Sequence, residues 1–475
     1  MSNNFAKTFL KENKETFEKI SEYIYHHPET RFEEYASAEF LASECEKAGF
    51  QVERKSGNIE TAFVATYGSG SPVIGFLGEF DALSGLGQVP NQTSYEPTEL
   101  NVGHGCGHNL LGTGAFAAAC AAKKYLEENN LPGTVKFFGC PGEEGGSGKT
   151  FMVREGVFEG VDAALTWHPS PANSIMSLSS LANYQVYFRF KGLSSHAANS
   201  PHLGRSALDA VELMNVGVNY LREHVVPEAR MHYAITNTGG ISPNVVQADA
   251  EVLYLIRAPK VQQVDEIYKR VCKIAEGAAL MTETELTIEF DKACSNYIPN
   301  RSLEKILYQS LQEAGIEKPD EEEKTFAEKL WTTLSDGEKE SYLDILRGFG
   351  YVGDGSEFEG KYLAETISAY EPSKEVLAGS TDVSDVSWVV PTAQLTASTS
   401  ALGTPLHTWQ MTTQGISSYA HKGMLRAAEA MALTAVKLLT DQEELEAVKQ
   451  EFNAFKEANP YTCPIPAEVK PSTLK

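Results

Sequence analysis

Pro-Val-Ile-Gly-Phe-Leu-Gly-Glu-Phe-Asp occupies residues 72–81. Its first six residues are apolar or glycine, without the alternation of a strand that has one wet face. Such a run suits a central strand covered on both faces in an α/β sheet. The run then breaks into Glu79 and Asp81. Open α/β sheets carry their sites at the carboxyl ends of strands, so these carboxylates are expected at a site rim. Residues 134–140 repeat the pattern and lead to Glu143 and Glu144; residues 163–167 repeat it again and lead to His168. Three expected strands thus deliver polar side chains to one edge.

Two glycine-rich stretches lie between and beside these strands. Gly-His-Gly-Cys-Gly-His-Asn spans 103–109, and Cys-Pro-Gly-Glu-Glu-Gly-Gly spans 140–146. Glycines let the backbone turn tightly enough for Cys106 and His108 to face one ion. Alone, that pair fits a phosphate-cradling loop or a plain turn equally well. Glu143 and Glu144, if extended, point to opposite faces, so one can bind metal while the other faces substrate. A solvated surface pair is the plainer alternative. His168 and His407 each lie near a tryptophan, where a packed core histidine is common, but they follow a strand or sit in a Gly/Pro loop. Asp81 is suited to orient a ligating imidazole. Glu79 is either a ligand or a strand terminus, and His104 stands behind the ligands. Thiolate, imidazole and carboxylate donors with a spare carboxylate form the donor set of a metal-dependent hydrolase.

The chain is long for a single core: 475 residues, 42% apolar and 22% charged. Two domains are expected. Forty basic against sixty-four acidic residues give a net charge of −24, which disfavours nucleic acid and anionic membrane as partners. Seven scattered cysteines do not form a disulfide framework. The opening Met-Ser-Asn-Asn-Phe-Ala-Lys-Thr lacks the layout of a signal peptide, and no run of about 18 apolar residues occurs. A cytoplasmic setting is expected, with Cys106 free to bind metal.

Helices are expected over 5–25, 32–48 and 109–126, the last rich in small residues and so packed closely on the sheet. Residues 183–297 change rhythm: strand 184–190, helix 204–224, strands 231–238 and 245–256, helix 264–280, strand 285–290. This βαββαβ order is the ferredoxin-like plan and marks a separate inserted domain, with 1–182 and 298–475 forming the first. His196, in Ser-Ser-His-Ala-Ala, lies in that insertion. It is either a surface turn residue or one that reaches over the substrate to stabilise an oxyanion. Arg257 ends a strand there and is either an exposed strand arginine or one that holds a substrate carboxylate. Beyond 299 the α/β pattern resumes with a helix over 303–314. Residues 318–362 read as an acidic, partly helical surface insertion. A strand near 393–399 and a long helix over 415–439 follow.

Gly-Glu-Phe-Asp-Ala-Leu (78–83), His-Gly-Cys-Gly-His-Asn (104–109), Pro-Gly-Glu-Glu-Gly (141–145), Trp-His-Pro (167–169), Ser-Ser-His-Ala-Ala (194–198) and Leu-His (406–407) occur in that order. With Cys-Pro-Gly-Glu-Glu-Gly-Gly-Ser-Gly-Lys and Ser-Thr-Asp-Val-Ser-Asp-Val-Ser-Trp (380–388), the chain resembles the M20 family of metallopeptidases, in its amidohydrolase branch. The resemblance implies a mixed α/β catalytic domain, flanked by helices, that carries a lid and dimerisation domain. It also implies two divalent ions, zinc or manganese. It makes Cys106, His108, Glu144, His168 and His407 the ligands and Glu143 the general base. It gives Asp81 a catalytic supporting role, makes His196 a lid residue that acts across a dimer, and assigns Asn244 and Arg257 to substrate binding. Most members have a histidine two residues before the aspartate, where Glu79 stands here. The implied substrate is an N-aroyl or N-acyl amino acid, foremost p-aminobenzoyl-glutamate. The implied partners are a second copy of the chain and a related A subunit. A dipeptidase or aminoacylase of the same family, and a non-catalytic binding subunit, are the alternatives.

Overall fold

The computed structural model describes residues 4–473. Shorter pairings aside, its strands are β1 (Gln51–Arg54), β2 (Phe63–Ser69), β3 (Val73–Glu79), β4 (Gly133–Cys140), β5 (Ala163–Ser170), β6 (Ser174–Ile175), β7 (Ala182–Lys191), β8 (Arg230–Asn237), β9 (Asp249–Ala258), β10 (Glu285–Cys294) and β11 (Thr392–Ser398). Its helices are α1 (Phe5–Glu12), α2 (Lys14–His26), α3 (Tyr35–Lys47), α4 (His108–Asn129), α5 (Gly148–Arg154), α6 (Ala207–Leu221), α7 (Val261–Thr282), α8 (Arg301–Ala314), α9 (Glu321–Thr332), α10 (Asp336–Gly348), α11 (Val383–Val389), α12 (Trp409–Gln414), α13 (Ser418–Thr440) and α14 (Gln442–Ala458).

One mixed sheet has the order β1-β2-β4-β3-β5-β11-β6. Its centre, β4-β3-β5-β11, is parallel, while β1, β2 and β6 join antiparallel at the edges. The parallel centre brings the carboxyl ends of β3, β4 and β5 to one edge, as the three apolar runs implied. Phe76, Leu77, Phe137, Phe138 and Leu165 are fully buried, so both faces of these strands are covered. Helices α1–α4, α8, α13 and α14 share one core with the first face; α5, α11 and the second sheet share another with the opposite face.

Small residues set how closely α4 lies on the sheet. A Cβ on Gly112 would come 2.5 Å from the carbonyl oxygen of Glu79, and one on Gly114 would come 2.8 Å from the Trp167 ring. The helix that begins at His108 is therefore pressed onto the strand that ends at Glu79.

Strands β7 to β10 form a second, antiparallel sheet in the order β8-β9-β7-β10. With α6 and α7 the chain order is βαββαβ, as the pattern implied. Strand β9 starts at Asp249, not near 245, because Val246 N–H bonds Ser195 O at 3.0 Å and Val245 bridges His196.

Other expectations are corrected. The helix expected over 5–25 breaks at Asn13, whose side-chain amide donates to Phe9 O at 2.8 Å. A short amide side chain competes with the helical ladder in this way. The helix expected from 32 starts at Tyr35, since Phe32 has φ +61° and the Arg31 side chain turns inward. The helix expected over 415–439 is α13, and α14 follows it unforeseen, burying Leu445, Val448 and Phe452. Among the described residues, no helix is long and apolar enough to cross a membrane.

Candidate metal centre

The donors gather at the edge where β3, β4 and β5 end. Ligand atoms of Cys106, His108 and His168 lie within 4.8 Å of one another; so do those of Cys106, Glu144 and His407, and those of Glu79, His108 and Glu143. Cys106 belongs to two triads and His108 to two, so the triads form one cluster. All five expected ligands and Glu143 are in it, and Glu79 joins them.

Local structure fixes each donor. The turn through Gly107, at φ +77°, starts α4 and sets Cys106 and His108 on the same side. Glu143 and Glu144 are not extended as expected. They occupy a turn after Gly142, at φ +67°, and Glu144 has φ −68° and ψ 85°. The Glu34 carboxylate accepts the Gly142 N–H at 2.8 Å and holds this turn from below. Asp81 accepts the Glu144 N–H at 2.7 Å with one oxygen and meets His108 Nδ1 at 3.0 Å with the other. That contact keeps a proton on Nδ1 and turns Nε2 toward the cluster, where it would ligate a cation that displaces its own proton. His168 is set alike: its Nδ1 donates to Pro169 O at 2.7 Å, and Nε2 lies 3.4 Å from Cys106 Sγ. His407, on a loop at φ +59°, places Nε2 3.1 Å from Glu144 Oε1. His104 is buried but stands outside the triads, with Nε2 donating to Ile24 O at 3.1 Å.

Burial and Glu144 push the Cys106 thiol up, but His168 and His108 outweigh them and bring it down to about 6. Burial then Glu79, Glu144 and Asp382 hold the Glu143 carboxyl well above the usual range. Burial raises Glu144 too, yet the His407 hydrogen bond and His108 bring it to about 2. A cation would lower the Glu143 value in turn, since an ion is the largest charge in such a site.

Does a divalent cation fit? His108 Nε2 and Glu144 Oε1 are buried and meet only other donors of the cluster, Glu79 Oε2 at 3.2 Å and His407 Nε2 at 3.1 Å. Both therefore aim into the cluster, with no partner outside it. Thiolate, imidazole and carboxylate donors at these separations fit a divalent transition metal.

Three residues without an expected role belong to this centre. Lys149 is fully buried, with Nζ 2.6 Å from both Glu79 Oε1 and Asp382 Oδ1. Its amide donates to Asp382 Oδ2 at 2.8 Å. Glu79 is therefore shared: its other oxygen lies 3.2 Å from His108 Nε2. Burial raises Glu79, but Lys149 and then His108 pull it below its usual range. The third is Phe349, whose ring stacks on His168. Lys149 and Asp382 both fall in stretches that mark the family resemblance, and a lysine amid small residues beside an acidic pair was the available signal.

The second-sheet residues stand apart. His196 is exposed; its Nδ1 accepts from the Ala198 and Asn199 amides at 3.2 and 3.1 Å. Ala197 N–H bonds Asn244 O at 2.9 Å, so His196 and Asn244 share one exposed loop pair. No contact among the described residues joins them to the donors. Arg257 is nearer: it donates to Ser380 Oγ at 3.3 Å, its buried Nε has no partner, and Glu143 is among the charges that act on it.

The sequence profile of peptidase family M20/M25/M40 matches residues 75–393. The chain is 54% identical over 478 aligned positions to the B subunit of p-aminobenzoyl-glutamate hydrolase from Escherichia coli K12, covering 99% of each. The structure superposes on an aminobenzoyl-glutamate utilization protein from Klebsiella pneumoniae with a TM-score of 0.60 at 16% identity, covering 92% of this chain and 99% of that one. It also superposes on a Bacillus subtilis protein described as a dinuclear metal-binding peptidase, with a TM-score of 0.52 at 15% identity, covering 90% and 99%.

Proposed function

Because the chain belongs to peptidase family M20/M25/M40, we propose that it hydrolyses the amide bond of p-aminobenzoyl-glutamate, giving p-aminobenzoate and glutamate. The observation that carries this reading is the gathering of the ligand atoms of Cys106, His108, Glu144, His168 and His407 into one cluster, with Glu143 beside them. Identity over the whole length of the Escherichia coli protein supports the substrate.

In this reading those five residues hold two divalent ions, zinc or manganese, and Glu79 shares the site from its Lys149 pair. The ions, when bound, polarise the scissile carbonyl and ease the ionisation of water. Glu143, whose carboxylate lies beside the ligand atoms without being needed as one, takes the proton of the attacking water and returns it to the leaving nitrogen. Asp81 holds the His108 ring in its ligating tautomer. Arg257, with its unpaired buried Nε, receives the glutamate carboxylate. His196 and Asn244 cap the substrate from the lid formed by residues 183–297, either by lid closure or from a second copy of the chain. An A subunit is a further partner in this reading. A cytoplasmic setting suits its seven free thiols.

Glu143→Gln tests the central role. It should keep the bound metal, measured by elemental analysis, while turnover of p-aminobenzoyl-glutamate falls by about 10²–10⁴. Turnover near that of the unaltered protein would remove Glu143 from the mechanism.

A further inference from the structure

The stretch 318–362, expected as a partly helical surface insertion, carries an aromatic ring onto one of the donors, His168. Helices α9 and α10 open on capping boxes at Asp320 and Ser335, and α10 ends at Gly348. Leu346, Tyr351 and Phe358 pack with Ala172 and Leu402 in a small core of their own. Ala172 lies just after His168 in the chain and Leu402 just before His407, so the insertion rests on the roots of two donor residues.

Phe349 emerges at that point. Its ring centroid is 5.7 Å from that of His168, with the planes 29° apart. The backbone beneath it is tied down. Phe349 N–H bonds Leu346 O at 2.9 Å, and Phe349 O accepts the Ser174 hydroxyl at 2.7 Å. Ser174 Oγ in turn lies 2.7 Å from Thr396 Oγ1. Gly350 has φ +87°, and a Cβ there would come 2.1 Å from Ile175 O. The insertion therefore meets β6 as closely as glycine permits, which fixes the ring beside His168. The ring is only half-buried. An apolar ring stacked beside one donor imidazole adds nothing to ion binding, but it offers a surface to an apolar part of a substrate. The acyl substituent is bonded directly to the carbonyl carbon under attack, so it must lie within about a ring's width of the donors.

We infer that Phe349 is the face on which the aryl ring of an N-aroyl amino acid lies, so that the 318–362 insertion selects aroyl over small alkanoyl substrates. This rests on the hydrolytic reading of the same centre. Aryl–aryl contact beyond simple burial favours the aromatic acyl group by up to about tenfold.

The test compares kcat/KM for p-aminobenzoyl-glutamate and N-acetylglutamate, which release the same amino acid, in the unaltered protein, Phe349→Ala and Phe349→Tyr. Phe349→Ala should lower the ratio of the two kcat/KM values about tenfold, chiefly through KM, with bound metal retained. Phe349→Tyr should restore the ratio. An equal fall on both substrates, or loss of metal, would overturn the inference, since a ring that merely props His168 does that. Binding of p-aminobenzoate by calorimetry separates the two readings. If the unaltered protein turns over neither substrate, the hydrolytic reading fails by itself. Equal affinity for p-aminobenzoate in the unaltered protein and Phe349→Ala then overturns this inference as well.

Discussion

Lys149 has no route to water: its ammonium is held between two buried carboxylates, each 2.6 Å away. Removing one partner of a buried ion pair leaves an uncompensated charge and costs about 3–5 kcal/mol. Lys149→Met is therefore expected to lower the unfolding free energy by about that amount in denaturant titrations. Adding Asp382→Asn to it should recover part of the loss, because the second charge no longer needs a partner. A single variant as stable as the unaltered protein would show that the triad is not a stability element. This charge cluster was hidden in the sequence for a physical reason. Lys149 and Asp382 lie far apart in the chain, and a lone lysine has no periodicity to betray its burial. The donors were legible because each follows an apolar run or sits among glycines, where strand ends and turns are read directly. Glu143 and Glu144 were found, but their geometry was not: the turn after Gly142, not strand alternation, separates their side chains.

At the scale of elements, the spacing between α4 and β3 sets the distance from His108 to Glu79. Gly112 permits that spacing, and a methyl group there would press on Glu79 O from 2.5 Å. Gly112→Ala should push the helix outward, with a stability loss of about 1–3 kcal/mol by thermal unfolding. It should also weaken metal binding in a chelator competition, because His108 moves with its helix. Unchanged metal affinity would mean that the helix start adjusts independently of its body. The run of small residues after Asn109 made this close packing legible. The break at Asn13 was not, because it turns on one local bond from its amide to Phe9 O, and the late start of α3 was not, because it depends on a tertiary partner: Arg31 meets Asp291 of β10 at 3.3 Å and bonds Gly145 O beside Glu144. The insertion was read as partly helical, but nothing in its acidic composition told which residue would touch His168.

For the molecule as a whole, stability should fall on acidification, and one contributor lies well away from the donors. His421 on α13 is buried against α2, with Nδ1 3.7 Å from Glu18 Oε1. Burial, then Lys14, lowers its affinity for protons from the ordinary 6.5 to about 4. Between those values the unfolded chain binds a proton that the folded chain refuses, so stability is full above pH 6.5 and falls as pH drops toward about 4. His421→Gln should flatten the slope of unfolding free energy against pH in that window by up to about one proton. An unchanged slope would mean that His421 is already protonated in the folded state.

Asn183 and Cys294 face each other on neighbouring strands, so the chain enters and leaves the second sheet through a single rung. Opposed residues of an antiparallel pair are only about 4.5–5.5 Å apart. A turn of a few residues would close that gap. Excising the strands between these positions would leave the order of the mixed sheet intact, but it would uncover the face where β7 and β9 share a core with Leu77, Phe138 and Ala164. A chimera spliced at these two positions must therefore carry matching residues on both sides of that shared core.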